Sequence, residues 1–173
     1  MTEQQRRFLL NEFFQLTLAA TVQHAKVYVD NVSEQDREAF RNSLRAKLFD
    51  LYPNYTAAVP DKLHNANIKQ LAERLSAQFR HLLIGGRFRI GLAQKALNLF
   101  LKYLWCARIL RNPPPHCPFD RNIIQDINQD INFTEFDTMR EYRKLITAAR
   151  ISANGVGLAL WELNKYNLLQ HHN

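Results

Sequence analysis

The stretch LAQKALNLFLKYLWCARIL, residues 92–110, decides the fold. Its apolar side chains cover most of a helical circumference instead of gathering on one stripe. In water such a helix is stable only where other helices surround it. Gln94, Lys95, Asn98, Lys102 and Arg108 interrupt the run, so it does not qualify as a membrane span. The pattern predicts a central helix over 92–110, buried in an all-α domain. Asn112-Pro113-Pro114-Pro115 ends it, because proline lacks the amide hydrogen and clashes with the preceding turn.

Upstream lies a short basic connector, Arg87-Phe88-Arg89-Ile90-Gly91. Before it, Ile68, Leu71, Ala72, Leu75, Phe79 and Leu82 mark the buried stripe of a helix over about 65–83, which Gly85-Gly86 closes. Ser33, with Asp36 three residues on, predicts the start of another helix carrying Phe40, Leu44, Leu48 and Leu51. Pro53 stops it. The first helix is expected over about 3–28, with Phe8, Leu9, Phe13, Leu16 and Ala20 on its apolar face. Downstream, Asp120 stands as an N-cap before a short helix over about 121–131. Further helices are expected over 137–151 and 158–168, the last carrying Trp161, with a break at Asn154-Gly155. The tail 170–173 is expected to fray. No segment alternates with period two, so no sheet is predicted. About seven helices thus pack around the central one in a single domain, 1–173. The two-proline loop at 52–60 is where subdomains 1–60 and 61–173 would part.

Eleven Phe, six Tyr and two Trp require a core and exclude a disordered chain. The N-terminus lacks a signal-peptide layout, which predicts a cytoplasmic protein with no membrane association. Cys106 and Cys117 are too few for a disulfide framework and read as free thiols. Without a Cys-x-x-Cys or His-x-x-x-His pair, neither a metal nor another cofactor is expected. His116 and Cys117 read as turn residues. The net charge is +7 and unevenly spread. Residues 69–111 carry +8, residues 1–68 balance, residues 112–141 carry −4 and residues 142–173 carry +3. A local positive field of this kind attracts phosphate, making nucleic acid the expected partner.

Within the basic stretch, Lys95 lies near the start of the central helix. Asp120 lies 25 residues later, at the start of the next helix. The strings Gly91-Leu92-Ala93-Gln94-Lys95-Ala96 and Pro118-Phe119-Asp120 together resemble the helix–hairpin–helix DNA glycosylase superfamily. The likeness covers about a third of the chain. The run from Gln94 through Tyr103 is also similar to a group of uncharacterised bacterial proteins with the same lysine–aspartate layout. The resemblance implies an all-helical DNA-binding repair enzyme that removes a damaged or modified base, with lyase activity at the abasic sugar. Lys95 would be the nucleophile, attacking the anomeric carbon once its amine is deprotonated. Asp120 would stabilise the cationic sugar. Arg87, Arg89, Gly91, Gln94 and Lys102 would hold the nucleic-acid backbone at the start of the helix. A flipped base would stack on one of Phe88, Phe119, Trp105 or Trp161, although both tryptophans also suit a core. Two rival readings stand beside this one. One is a non-catalytic basic helical module that binds nucleic acid. The other is a helical protein-interaction subunit of a bacterial defence or toxin-type system.

Overall fold

The computed structural model describes residues 1–23 and 25–170, and the tail residues 171–173 lie outside it. Seven α-helices are present among the described residues, with no strand. They are α1 (Glu3–Leu18), α2 (Glu34–Leu51), α3 (Asp61–Phe79), α4 (Ile90–Cys106), α5 (Arg121–Asp126), α6 (Met139–Ala153) and α7 (Leu158–Gln170). Helix α4 is the expected central helix. Every residue from Ile90 to Lys102 is buried, on all sides of the helix. Its apolar side chains join those of the other helices in one continuous core, which crosses the 52–60 turn without a break. None of the helices is long and apolar enough to cross a membrane.

Local signals set several boundaries. The Ser33 side chain accepts from the Asp36 amide at the start of α2, and that of Asp120 accepts from the Ile123 amide at the start of α5. Thr138 and Glu141 form a reciprocal capping box on α6. Asn154 and Gly155, both with positive φ, end it.

Other expectations are corrected. Helix α1 turns a different face inward: Leu10, Phe14, Thr17 and Leu18 are buried, whereas Phe8 is 62% and Leu16 51% exposed. Adjacent pairs such as Leu9-Leu10 and Phe13-Phe14 fit two helical stripes equally well, and packing against α4 selects between them. The helix does not reach Tyr28. It widens into a π-helical turn over Ala19–Gln23. Residues 27–29 then pair antiparallel with 82–84, through Val29 N–H to the Leu82 carbonyl (2.9 Å) and Ile84 N–H to the Val27 carbonyl (3.0 Å). Helix α3 consequently stops at Phe79, and Gly85-Gly86 serve the turn after this bridge, not the helix end. Helix α4 ends at Cys106, where Arg108 adopts a left-handed conformation (φ 60°). Helix α5 is a six-residue fragment of the longer helix expected.

The start of α4 has no side-chain cap of its own. The loop at 132–137 supplies one. Ile90 N–H donates to Asp137 Oδ1 (3.0 Å), and Gly91 N–H donates to the Phe136 carbonyl (3.1 Å). The loop approaches so closely that a Cβ on Gly91 would lie 2.9 Å from the Phe133 carbonyl carbon and closer still to its oxygen. A Gly91→Ala substitution must therefore push the loop off the helix. It is expected to destabilise the protein by about 3 kcal/mol or more, as urea denaturation would measure. An unchanged midpoint would disprove the cap.

Candidate functional site

The polar residues that interrupt the central helix are the key to its surroundings. Gln94, Asn98 and Lys102 follow one another at four-residue intervals, so they share one face, and all are buried. A buried polar group must find a partner, because its lost hydration is otherwise uncompensated.

Asn98 is the hub. Its Oδ1 lies 2.8 Å from His64 Nε2, and its Nδ2 donates to Tyr142 Oη (3.0 Å) and to Gln94 Oε1 (3.2 Å). Beyond His64, its Nδ1 lies 2.8 Å from Tyr55 Oη, which accepts from Asn67 Nδ2 (2.9 Å). Beyond Tyr142, the hydroxyl lies 2.8 Å from His116 Nδ1. These partners fix every proton. Tyr55 already accepts, so its hydroxyl donates to His64 Nδ1. His64 is then protonated on Nε2 and donates to Asn98. By the same logic Tyr142 donates to His116 Nδ1, which leaves the proton on His116 Nε2, 3.4 Å from Asp61 Oδ1 but not hydrogen-bonded to it. The result is a one-directional chain from Asn67 through Tyr55, His64, Asn98 and Tyr142 to His116, beside Asp61 at the surface, where Arg150 pairs with Asp61. The His64 and His116 rings meet edge to face, with centroids 4.7 Å apart.

Burial holds both imidazoles neutral, pulling His64 down to about 3 and His116 to about 4; a second buried imidazole adds to the effect on His64, and Asp61 opposes it on His116. Burial pushes the Tyr55 hydroxyl up to about 12. At Asp61 burial favours the neutral acid, but Arg150 and His116 outweigh it and keep the carboxyl below its usual range. Because His64, Asn98 and His116 have no exposed surface, the chain is a structural lock and not a surface that touches substrate.

The other polar contacts of α4 are also internal. Gln94 clamps the backbone of the Pro-His-Cys-Pro-Phe-Asp turn: its Nε2 donates to the Phe119 carbonyl (2.8 Å) and its Oε1 accepts from the Phe119 amide (3.2 Å). Lys102 forms a buried ion pair with both carboxylate oxygens of Glu162 on α7, at 2.8 and 2.9 Å. Arg87 pairs with Asp137, and Arg89 donates to the Thr134 carbonyl (2.9 Å). The Gly91 amide is taken by Phe136. Of the residues expected to hold a nucleic-acid backbone, Arg89, Gly91, Gln94 and Lys102 are engaged within the fold, whereas Arg87 meets Asp137 with its side chain 52% exposed. Phe88 and Phe119 have no exposed surface, so neither ring offers a face to a flipped base. Trp161 is buried, with Lys165 Nζ 5.2 Å from its ring centre. Trp105 alone of the four aromatic candidates is only partly buried: it packs against the core and lines a cavity with Arg108 and Arg111.

Lys95 is buried, with its ammonium 4.2 Å from the centre of the Phe133 ring. Burial lowers its pKa, and the Asp120 charge opposes that shift. The two side chains do not form an ion pair within 4 Å. Asp120 caps α5 and remains partly exposed. The sequence singled out Lys95 and Asp120 but missed His64, Tyr55, Asn67, Asp61 and Tyr142. It also took His116 for a turn residue. Among the described residues, no group of three His, Cys, Asp or Glu side chains is arranged to hold a metal. No protein-family model, curated protein or solved structure matches the chain.

The lock gives stability a defined pH dependence. Unfolded histidines titrate near 6.5, whereas His64 and His116 resist protonation down to about 3 and 4 in the fold. Between those limits the unfolded chain binds more protons, so stability is full above pH 6.5 and falls as the pH drops. The loss is about 1.4 kcal/mol per pH unit for each histidine. Urea midpoints measured from pH 7.5 to 4.5 should decline throughout the acid half of that range. A flat profile would show that the imidazoles titrate freely.

Proposed function

We propose that the protein is a basic, all-helical nucleic-acid-binding module. The observation that carries this reading is the positive charge left over after the internal pairs are formed. Between Lys69 and Arg111, Arg89, Lys95 and Lys102 are engaged within the fold, and the exposed Arg87 and Lys69 face Asp137 and Glu73. Arg74, Arg80, Arg108 and Arg111 are exposed, with no carboxylate within 4 Å among the described residues. Exposed guanidiniums without internal partners are free to neutralise phosphates, releasing counterions from the nucleic acid.

Fluorescence anisotropy with labelled single- and double-stranded oligonucleotides tests the reading. Four phosphate contacts to a single strand predict a roughly fifty-fold loss of affinity between 50 and 200 mM salt. Binding should survive Lys95→Ala, because that amine is buried. Absence of binding at 50 mM salt would refute the module.

Lys95 favours a second reading, the base-excision lyase. A buried amine with a lowered pKa is a better nucleophile than a surface lysine, and Asp120 lies within its electrostatic reach. Access to the amine would require Phe133 to move aside. Borohydride should then trap a covalent adduct on an oligonucleotide bearing an abasic site, and Lys95→Ala should abolish it. Equal trapping by the variant, or none by the parent, would exclude the lyase.

A further inference from the structure

We propose that the concavity at the C-terminal end of α4 binds one nucleotide of a single-stranded nucleic acid, its base stacked on Trp105 and its phosphates held by Arg108 and Arg111. This proposal rests on the nucleic-acid-binding reading and gives it a site.

The cavity has a volume of about 470 Å³ and is lined by Trp105, Cys106, Arg108, Leu110, Arg111 and Leu163. That volume falls within the range of about 300–1,000 Å³ found for small-ligand sites. Its composition suits a nucleotide. Leu110 and Leu163 provide an apolar floor. Trp105 provides an aromatic face, and it stacks on no other ring among the described residues. The two arginines provide planar, permanently charged donors that match phosphate oxygens. Among the described residues neither has a carboxylate partner to leave when a phosphate arrives.

The site is also held in place. Arg108 sits at φ 60°, a left-handed position that costs a non-glycine residue energy. The surrounding turn sustains it: Ile109 N–H and Leu110 N–H both donate to the Leu104 carbonyl, at 2.9 and 3.1 Å. This reversal folds the chain back over the end of the helix and places Arg108 and Arg111 on the same cavity as Trp105. Asn112 Nδ2 donates to the Thr56 carbonyl (3.3 Å), and three prolines follow, which restrict the chain beyond Arg111. The fully buried Leu110 fixes the turn to the core. An aromatic ring and two cations lining one cavity suit one unpaired base with its phosphates. A base inside a duplex has both faces covered by its neighbours, so the geometry selects a single strand or a strand end. A free nucleotide shares this chemistry but lacks the flanking phosphates that Arg108 and Arg111 can hold together.

The test is a titration of the intact protein with a thymidine 15-mer, following Trp fluorescence and anisotropy at 50 mM salt, with the corresponding duplex and thymidine monophosphate in parallel. The expected result is quenching by the single strand that disappears in Trp105→Phe. The strand should bind more tightly than the duplex or the mononucleotide. Trp105→Ala should weaken the strand about tenfold. Arg108→Ala/Arg111→Ala should lower the slope of log affinity against log salt by about 1.4. Strand binding without any Trp105 signal, and unaffected by both variants, would overturn the site while leaving the nucleic-acid reading intact. Equal affinity for duplex or mononucleotide would overturn the single-strand assignment. Absence of all binding would overturn the module itself, and the site with it. The parent titration requires no substitution, so the proposal remains testable even if Trp105→Ala fails to fold.

Discussion

Asn98 lies in the middle of the central helix with no exposed surface, and its partners come from two other helices as well as from α4 itself. Its carbonyl is met by His64 of α3, and its amide by Tyr142 of α6 and by Gln94 one turn earlier in α4. In a low-dielectric interior each of these groups is costly if left alone and strongly bound if paired. The pairing is also directional, because the bonds of the chain from Asn67 to His116 run in one sense only. A shift of α3 or α6 along α4 would break several of these bonds together. Apolar packing tolerates small slips, whereas a directed hydrogen-bond chain does not. The polar chain thus selects one arrangement of helices that the leucines of α4 would hold less specifically.

The same demand accounts for the Pro-His-Cys-Pro-Phe-Asp turn. His116 extends the polar chain, Phe119 is held through its backbone by Gln94, and Asp120 starts the next helix. Cys117 is fully buried, and desolvation raises its thiol well above the usual range. Lys102 and Glu162 pin α7 to α4 in the same manner, with burial raising the Glu162 carboxyl and Lys102 opposing it. Breaking such a pair by removing one member leaves an uncompensated buried charge, so its specificity lies in the requirement that both be present.

Charge within the basic stretch is divided between two purposes. The loop at 132–137 caps the start of α4 and pairs with Arg87 and Arg89. Lys95 lies under Phe133, and Lys102 meets Glu162. The cations that remain for a partner lie elsewhere, on the outside of α3 and at the far end of α4. A count of charges along the chain includes both groups, but only the second is left without an internal partner among the described residues.

The fold class, the central position of α4, the buried stripe of α3 and the caps at Ser33 and Asp120 were all legible in the sequence. Each depends on residues within a few positions of one another, where helical periodicity and local hydrogen bonding govern. Even the polar interruptions of α4 carried a legible signal, since three of them recur every fourth residue. Their partners were not legible. His64, Tyr142 and Glu162 lie 34, 44 and 60 residues away from the α4 residues they meet, and nothing local marks them. The inward face of α1 was undetermined for a related reason: paired apolar residues permit two stripes, and only contact with α4 separates them. The sequence by itself determined that a helix apolar on all sides must be enclosed by others. Only the tertiary structure decided which polar groups would satisfy its buried Gln, Asn and Lys, and so which cations were left to face outward, because those partners are brought together by packing across the chain.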